Sequence, residues 1–260
     1  GVPDDTCEYC RTGRYNICPG VDFMATQPNY KGALTQYMTH PEEWTYHIPE
    51  GMTTMEGALV EPAAVGMHAA VLGGAQPGKS IVILGGGTIG LMVLQACISL
   101  GATDITVVDV IEKRLELAKK LGAARVINGK EEDTVAVLRS EEMYGDHGVD
   151  LVFEAEGAVF TAQQAVQIVS RGGKIMMVGT QSKPVPIDFL KINREVTIQT
   201  SFRYCNNFPQ TIEAISSGRF NVKDMVTNIY DYEDVQKAFE EAIDPVKKTE
   251  MVKGVIKVAE

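Results

Sequence analysis

No stretch of this 260-residue chain runs long enough without a glycine or a charge to cross a bilayer, and it holds no repeat or low-complexity tract. With 45% hydrophobic and 22% charged residues, the membrane-spanning, fibrous and disordered classes are excluded. Positive charge is in deficit, 24 Lys and Arg against 34 Asp and Glu, and the net charge of −10 has no local basic stripe to offset it. A phosphate backbone would be repelled, so neither nucleic acid nor membrane is expected as a partner. Cysteine is scarce and odd in number: five residues do not make a disulfide framework, and Cys7, Cys10 and Cys18 crowd together as a metal knuckle would. That usage suits a reducing compartment, and the cytoplasm is the expected location. The chain opens on Gly1-Val2-Pro3 with no signal or transit segment, and an upstream portion is expected to be missing.

Two textures divide the chain. Residues 1–70 scatter Pro, Gly, Thr and aromatics among short β-like runs such as 33–39, with little 3.6-residue periodicity, which predicts a small β-rich lobe. From Lys79 onward, short apolar runs alternate with helical patterns. Strands are expected at 80–84, 105–109, 125–127, 150–154, 174–179 and 195–200, and helices at 88–100, 111–121, 131–144 and 159–169. Six strands with helices between them make a parallel, doubly wound α/β sheet the economical answer. Two further helical patterns at 208–217 and 232–243 and a β-like run at 254–258 are expected to return to the first lobe.

The junction of the first strand and helix carries Gly85-Gly86-Gly87-Thr88-Ile89-Gly90, a G-x-G-x-x-G pattern. Gly85 suits a sharp turn, Gly87 lets backbone approach a pyrophosphate, and Gly90 lets the helix pack close to the sheet. The helix N-terminus then offers its amides to phosphate charge. Asp109 ends the next strand 19 residues beyond Gly90 and can accept from both hydroxyls of an adenosine ribose, which favours NAD over NADP. The competing reading makes the glycines a plain turn and Asp109 a helix cap. Arg114 suits either the ribose edge or a solvated helix face.

Cys7-x-x-Cys10 with Cys18 eight residues later supplies three thiolates for a tetrahedral zinc, and Asp4 or Asp5 can fill the fourth corner. The alternatives are a water at that corner or a metal-free loop. Cys97, within an apolar helix, reads as core. Glu61 stands between apolar stretches and reads either as an N-terminal helix acid or as a functional carboxylate.

With these residues assembled, the chain resembles the zinc-dependent medium-chain dehydrogenases, and within them the sorbitol, xylitol and related polyol dehydrogenases. The resemblance rests on Cys7-Glu8-Tyr9-Cys10 leading into Gly13-Arg14-Tyr15-Asn16-Ile17-Cys18-Pro19, on the run from Gly57 to Pro62, on the glycine pattern with Asp109, and on Ser201-Phe202-Arg203-Tyr204-Cys205-Asn206. It covers essentially the whole chain, as the C-terminal part of such an enzyme. It implies a division into residues 1–70, the end of a GroES-like β-rich catalytic domain; 71–205, an NAD-binding Rossmann domain; and 206–260, a return to the catalytic domain.

By position, the resemblance places Glu61 at a catalytic zinc or its water, and Arg203 and Tyr204 near the substrate hydroxyls. Phe23 and Thr26 fall in the substrate pocket. Val178, Gly179, Ser201, Phe202 and Arg203 join Gly85, Gly87, Thr88, Ile89, Gly90, Asp109 and Arg114 around the cofactor. It implies hydride transfer between a polyol secondary alcohol and NAD with zinc assistance, in a homo-oligomer, dimer or tetramer. Threonine, butanediol or glucose dehydrogenases of the same superfamily, and an inert NAD-binding module, are the other readings. The family's catalytic cysteine and Gly-His-Glu triplet are absent from this sequence, and Asp4 stands at the first of its four loop cysteines. The isolated chain is therefore expected to be inactive.

Overall fold

Apolar, β-branched runs form a six-stranded parallel sheet in a computed structural model that describes residues 1–26 and 32–258. In chain order the elements are α1 (Glu8–Arg11), α2 (Thr54–Gly73), β1 (Ser80–Leu84), α3 (Thr88–Ser99), β2 (Asp104–Asp109), α4 (Glu112–Lys120) and β3 (Arg125–Asn128). There follow α5 (Thr134–Leu138), β4 (Val149–Glu154), α6 (Val159–Ile168), β5 (Val169–Met177) and β6 (Thr197–Thr200). The chain ends with α7 (Phe208–Ser216), β7 (Val226–Asp231), α8 (Val235–Ile243), α9 (Lys247–Glu250) and β8 (Lys253–Lys257).

The sheet order is β3-β2-β1-β4-β5-β6, a parallel doubly wound sheet as expected from the sequence. Neighbours run in parallel register, Ile81 lying between Ile105 on β2 and Leu151 on β4. Successive side chains of β1 feed opposite faces. Ile81 and Ile83 join Leu59, Met67, Leu91 and Phe153 beneath α2 and α3, while Val82 and Leu84 join Val108, Leu138, Val152 and Val166 on the other side. Both faces are covered, which is why these strands read as unbroken apolar runs. The order reverses between β1 and β4, and the crevice beyond their C-terminal ends is where such sheets bind ligands.

Helix α2 departs from the expectation for residues 1–70. Among the described residues of that segment the only strand-like pairing is an isolated bridge between Val2 and Asp22; the run 33–39 is not a strand, because no neighbouring segment pairs with it. The β-rich lobe is thus replaced by loops, short helical turns and the 20 residues of α2. That helix escapes periodicity because it is apolar or small on nearly every side, packing on α3, α7 and β5 together. Gly66 permits the crossing: a Cβ there would meet the Met92 carbonyl carbon at 2.5 Å. Thr53 caps the helix, accepting from the Glu56 amide at 3.2 Å while its own amide donates to Glu56 Oε2 at 2.9 Å. The expected domain break after residue 70 falls inside this continuous helix.

The polar helix expected over 131–144 shortens to α5, because the chain turns away at Arg139, whose guanidinium donates to the Gln167 and Val169 carbonyls. β7, which the sequence pattern does not mark, pairs in parallel with β8 as a separate two-stranded sheet. Among the described residues no helix is long and apolar enough to cross a membrane.

Candidate functional site

The Gly85–Gly90 segment forms the turn between β1 and α3, with Gly85 at φ +105°, a backbone conformation that side chains resist. At Gly90 a Cβ would lie 1.8 Å from the Gly85 carbonyl oxygen, so only glycine lets the first turn of α3 close on the strand end. Gly87 is the N-cap of α3, and a Cβ there would meet nothing nearer than Arg114 Nη1 at 3.9 Å, leaving its backbone approachable. Ile89 packs against the core, and the Thr88 hydroxyl donates to the Val252 carbonyl. What these two residues offer a phosphate is therefore their amides at the helix N-terminus.

Asp109, buried at the end of β2, does two jobs at once. Its Oδ1 accepts from the Val110 and Ile111 amides at 2.7 and 2.9 Å, which fixes the turn ahead of α4 without capping that helix, while Oδ2 accepts from the Gly86 amide at 2.7 Å. Arg114 reaches Oδ2 at 3.4 Å, a long contact, and its side chain is only 18% exposed, so the solvated-face reading fails. Its Nε is buried without a partner. These residues line a cavity of about 380 Å³ with Leu84, Gly85, Ile111, Glu156, Phe160 and Lys248. An apolar wall beside a few convergent polar groups suits an adenosine.

Sequence reasoning passed over Glu154, which ends β4 beside the point where the sheet order reverses. The residue is fully buried, and its Oε1 accepts from the Glu156 and Gly157 amides at 3.0 and 2.8 Å and from Thr161 Oγ1 at 2.7 Å. Gln181 Nε2 donates to Oε2 at 2.7 Å, and the Glu154 carbonyl takes both the Val178 and Gly179 amides. One side chain thus ties together the loops after β4 and β5. The Val178 and Gly179 amides are spent in this way, and the Ser201 amide donates to the Met177 carbonyl, so a carboxamide would find carbonyls there. Two buried polar atoms at these strand ends, Gln181 Oε1 and Ser201 Oγ, have no partner among the described residues. Orphans at the mouth of such a crevice fit a bound polar ligand.

Glu61, Arg203, Tyr204 and Phe23 come together from three separate segments. The Arg203 guanidinium sits 3.9 Å from the Phe23 ring centroid, and Phe23 meets Phe202 edge-on at 5.9 Å. Arg203 therefore stacks on Phe23, and has no acid partner among the described residues. Arg203 and Asn206 take positive φ, 51° and 53°, a strained turn held from outside. The holders are in the cysteine loop: Asn16 Nδ2 donates to the Phe202 carbonyl at 2.8 Å, Asn206 Nδ2 donates to the Gly13 carbonyl at 2.7 Å, and the Asn206 amide donates to the Tyr15 hydroxyl at 2.8 Å. Burial, and then the Glu61 carboxylate beside it, push the Tyr204 hydroxyl up to about 12. Glu61 is not an N-terminal acid; it is the eighth residue of α2, exposed, and the first-turn acid is Glu56. Thr26 is exposed and its hydroxyl donates to the Phe23 carbonyl at 2.7 Å.

At the other end of the cysteine loop, one donor atom each from Asp4, Cys7, Cys10 and Cys18 lie within 4.8 Å of one another. Cys7, the N-cap of α1, and Cys10 within it are free thiols whose Sγ atoms lie 3.4 Å apart, and Cys18 is buried. Asp4 Oδ1 is oriented by the Thr6 and Cys7 amides, which hold its carboxyl below the usual range. Three sulfurs and one oxygen at this spacing fit a tetrahedral zinc. Asp5 is not part of the group.

A family profile described as zinc-binding dehydrogenase matches residues 88–217. The chain is 63% identical, over its whole length and 74% of the relative's, to an uncharacterised zinc-type alcohol dehydrogenase-like protein of Escherichia coli K12, YdjJ. It is 40% identical to the sorbitol dehydrogenase of Bacillus subtilis strain 168, over 94% of this chain and 69% of that one. Among solved structures, an Escherichia coli oxidoreductase/dehydrogenase of unknown specificity superposes on all of this chain and 74% of its own, with TM-score 0.96 and 62% identity.

Proposed function

This chain belongs to the zinc-binding dehydrogenase family, and from that premise we propose that it serves as the dinucleotide-binding part of a polyol:NAD oxidoreductase. The observation that carries the reading is the glycine turn at the reversal point of the sheet, with the Asp109 carboxylate against Gly86. The pyrophosphate rests on the Gly87–Gly90 amides, and the adenosine ribose hydroxyls replace the long Arg114 contact on Asp109. A 2′-phosphate would meet that carboxylate, so NAD is preferred to NADP. The nicotinamide lies against the carbonyls of Val178 and Gly179, with Ser201 Oγ and Gln181 Oε1 as the orphan groups it satisfies.

On the substrate side, Arg203 and Tyr204 hold polyol hydroxyls beside Glu61, and Phe23 fixes Arg203. Tyr204 keeps its proton at neutral pH and donates. The 40% identity to a sorbitol dehydrogenase favours a sugar alcohol as the substrate class. Zinc supplies a Lewis acid to secondary alcohols in complete sites. A catalytic zinc needs several protein ligands, and of the described residues Glu61 is the one that would stand beside such a metal. The structural cluster fits zinc independently.

Among the described residues β6 is an edge strand of the sheet, and elsewhere Phe189 and Leu190 are 71% and 82% exposed, features that suit self-association. The free cysteines suit a reducing cytoplasm. The test is NAD reduction by the chain with sorbitol, xylitol, butanediol and threonine, beside fluorescence titration with NADH. Binding of NADH with negligible turnover is expected; robust turnover refutes the incomplete metal site, and failure to bind NADH refutes the reading.

A further inference from the structure

Two acidic stems bracket the glycine turn. A Cβ placed on Gly86 would lie 3.3 Å from the Asp109 Cβ, and one placed on Gly85 would lie 3.2 Å from the Glu156 Cβ. Asp109 arrives on β2 and Glu156 on the loop after β4, so the strands on either side of β1 deliver carboxylates to two successive residues of one turn. Both line the same cavity of about 380 Å³, together with Arg114 and Lys248.

Their electrostatic situations differ. The Asp109 charge is offset by three amides and by Arg114, whereas the Glu156 carboxylate accepts no hydrogen bond and forms no ion pair among the described residues. Its backbone is fixed: the Glu156 amide donates to buried Glu154 at 3.0 Å, so the side chain is aimed by the β4 terminus. Although the residue is exposed at the cavity mouth, burial of its carboxyl and then the Asp109 charge push it above the usual carboxylate range. Glu154 adds to that rise, and Arg114 and Lys248 oppose it. Two acids that feel each other in this way share one site.

We propose that Glu156 is a second cofactor-selecting residue, a carboxylate that faces the adenosine end of the dinucleotide beside Asp109 and rejects a phosphate on its ribose. The inference rests on the reading of this cavity as a dinucleotide site. A ribose hydroxyl loses nothing at such a carboxylate, since it can donate to it. A 2′-phosphate brings a further charge of about −1.5 to −2 against the acid with the less compensated field. Discrimination is thereby divided between a residue built into the turn and one hung over its mouth.

The test compares dissociation constants for NADH and NADPH, by nicotinamide fluorescence, in the wild-type chain, Glu156→Gln, Glu156→Lys and Asp109→Asn. The ratio of affinities should move towards NADPH by about fivefold in Glu156→Gln, a magnitude tempered by solvent screening at the mouth, and further in Glu156→Lys. An unchanged ratio in both Glu156 variants, with Asp109→Asn still shifting it, overturns the role of Glu156 and leaves the dinucleotide site standing. A wild-type chain that binds neither cofactor removes the site and the proposal together.

Discussion

Gly90 shows how much of the site one residue type can dictate. Its missing side chain is written in the sequence, and the 1.8 Å separation from the Gly85 oxygen says why: any Cβ forces the turn open. Gly90→Ala is expected to weaken NADH binding by at least about tenfold and to lower the melting temperature, read by fluorescence titration and calorimetry. An alanine variant with wild-type affinity would mean the turn does not hold the nucleotide. Asp109 was legible for a related reason, since a fixed spacing after the glycines places it at the end of the adjacent strand. Glu154 and Glu156 were not legible: β4 lies 70 residues from β1 in register, and nothing local marks which acid on it faces the crevice. Glu61 shows the opposite error, where an acid amid apolar residues suggested a helix start that the Thr53 cap sets eight residues earlier.

At the scale of elements, the strands were readable because burial on both faces leaves continuous apolar runs, and α2 was unreadable because burial on most sides erases the stripe that marks a helix. Its cap carries a prediction. Burial alone would raise the Glu56 carboxyl, but hydrogen bonds from Thr53 and the Lys223 ammonium at 3.2 Å outweigh it and hold the group below its ordinary 4.5. A folded carboxyl so depressed contributes stability above the unfolded value, and loses it as pH falls through the folded one. Thr53→Ala is expected to cost about 1 kcal/mol at neutral pH and to flatten the acid arm of the stability profile below pH 4.5, measured by urea denaturation across pH. An identical acid arm in the variant would contradict the cap's part in holding Glu56.

For the whole molecule, the link between the cysteine loop and the Arg203 turn is what joins chemistry at one end to geometry at the other. Asn16 and Tyr15 sit between Cys10 and Cys18 in sequence and hold the turn at 202–206 directly. Metal analysis of the purified chain is expected to find one zinc, lost in Cys18→Ser. Hydrogen exchange at 202–206 should rise in that variant while the strands stay protected. Protection unchanged at 202–206 would show that the loop stands without its metal. This coupling joins segments nearly two hundred residues apart, and only the packed structure reveals it.

Function at the glycine turn depends on where a dinucleotide sits. A crystal structure of the chain soaked with NADH measures this directly. The expected result is a diphosphate on the amides of residues 87–90 with both adenosine ribose hydroxyls on Asp109. Density for the nucleotide anywhere else, or a ribose turned away from Asp109, would contradict it.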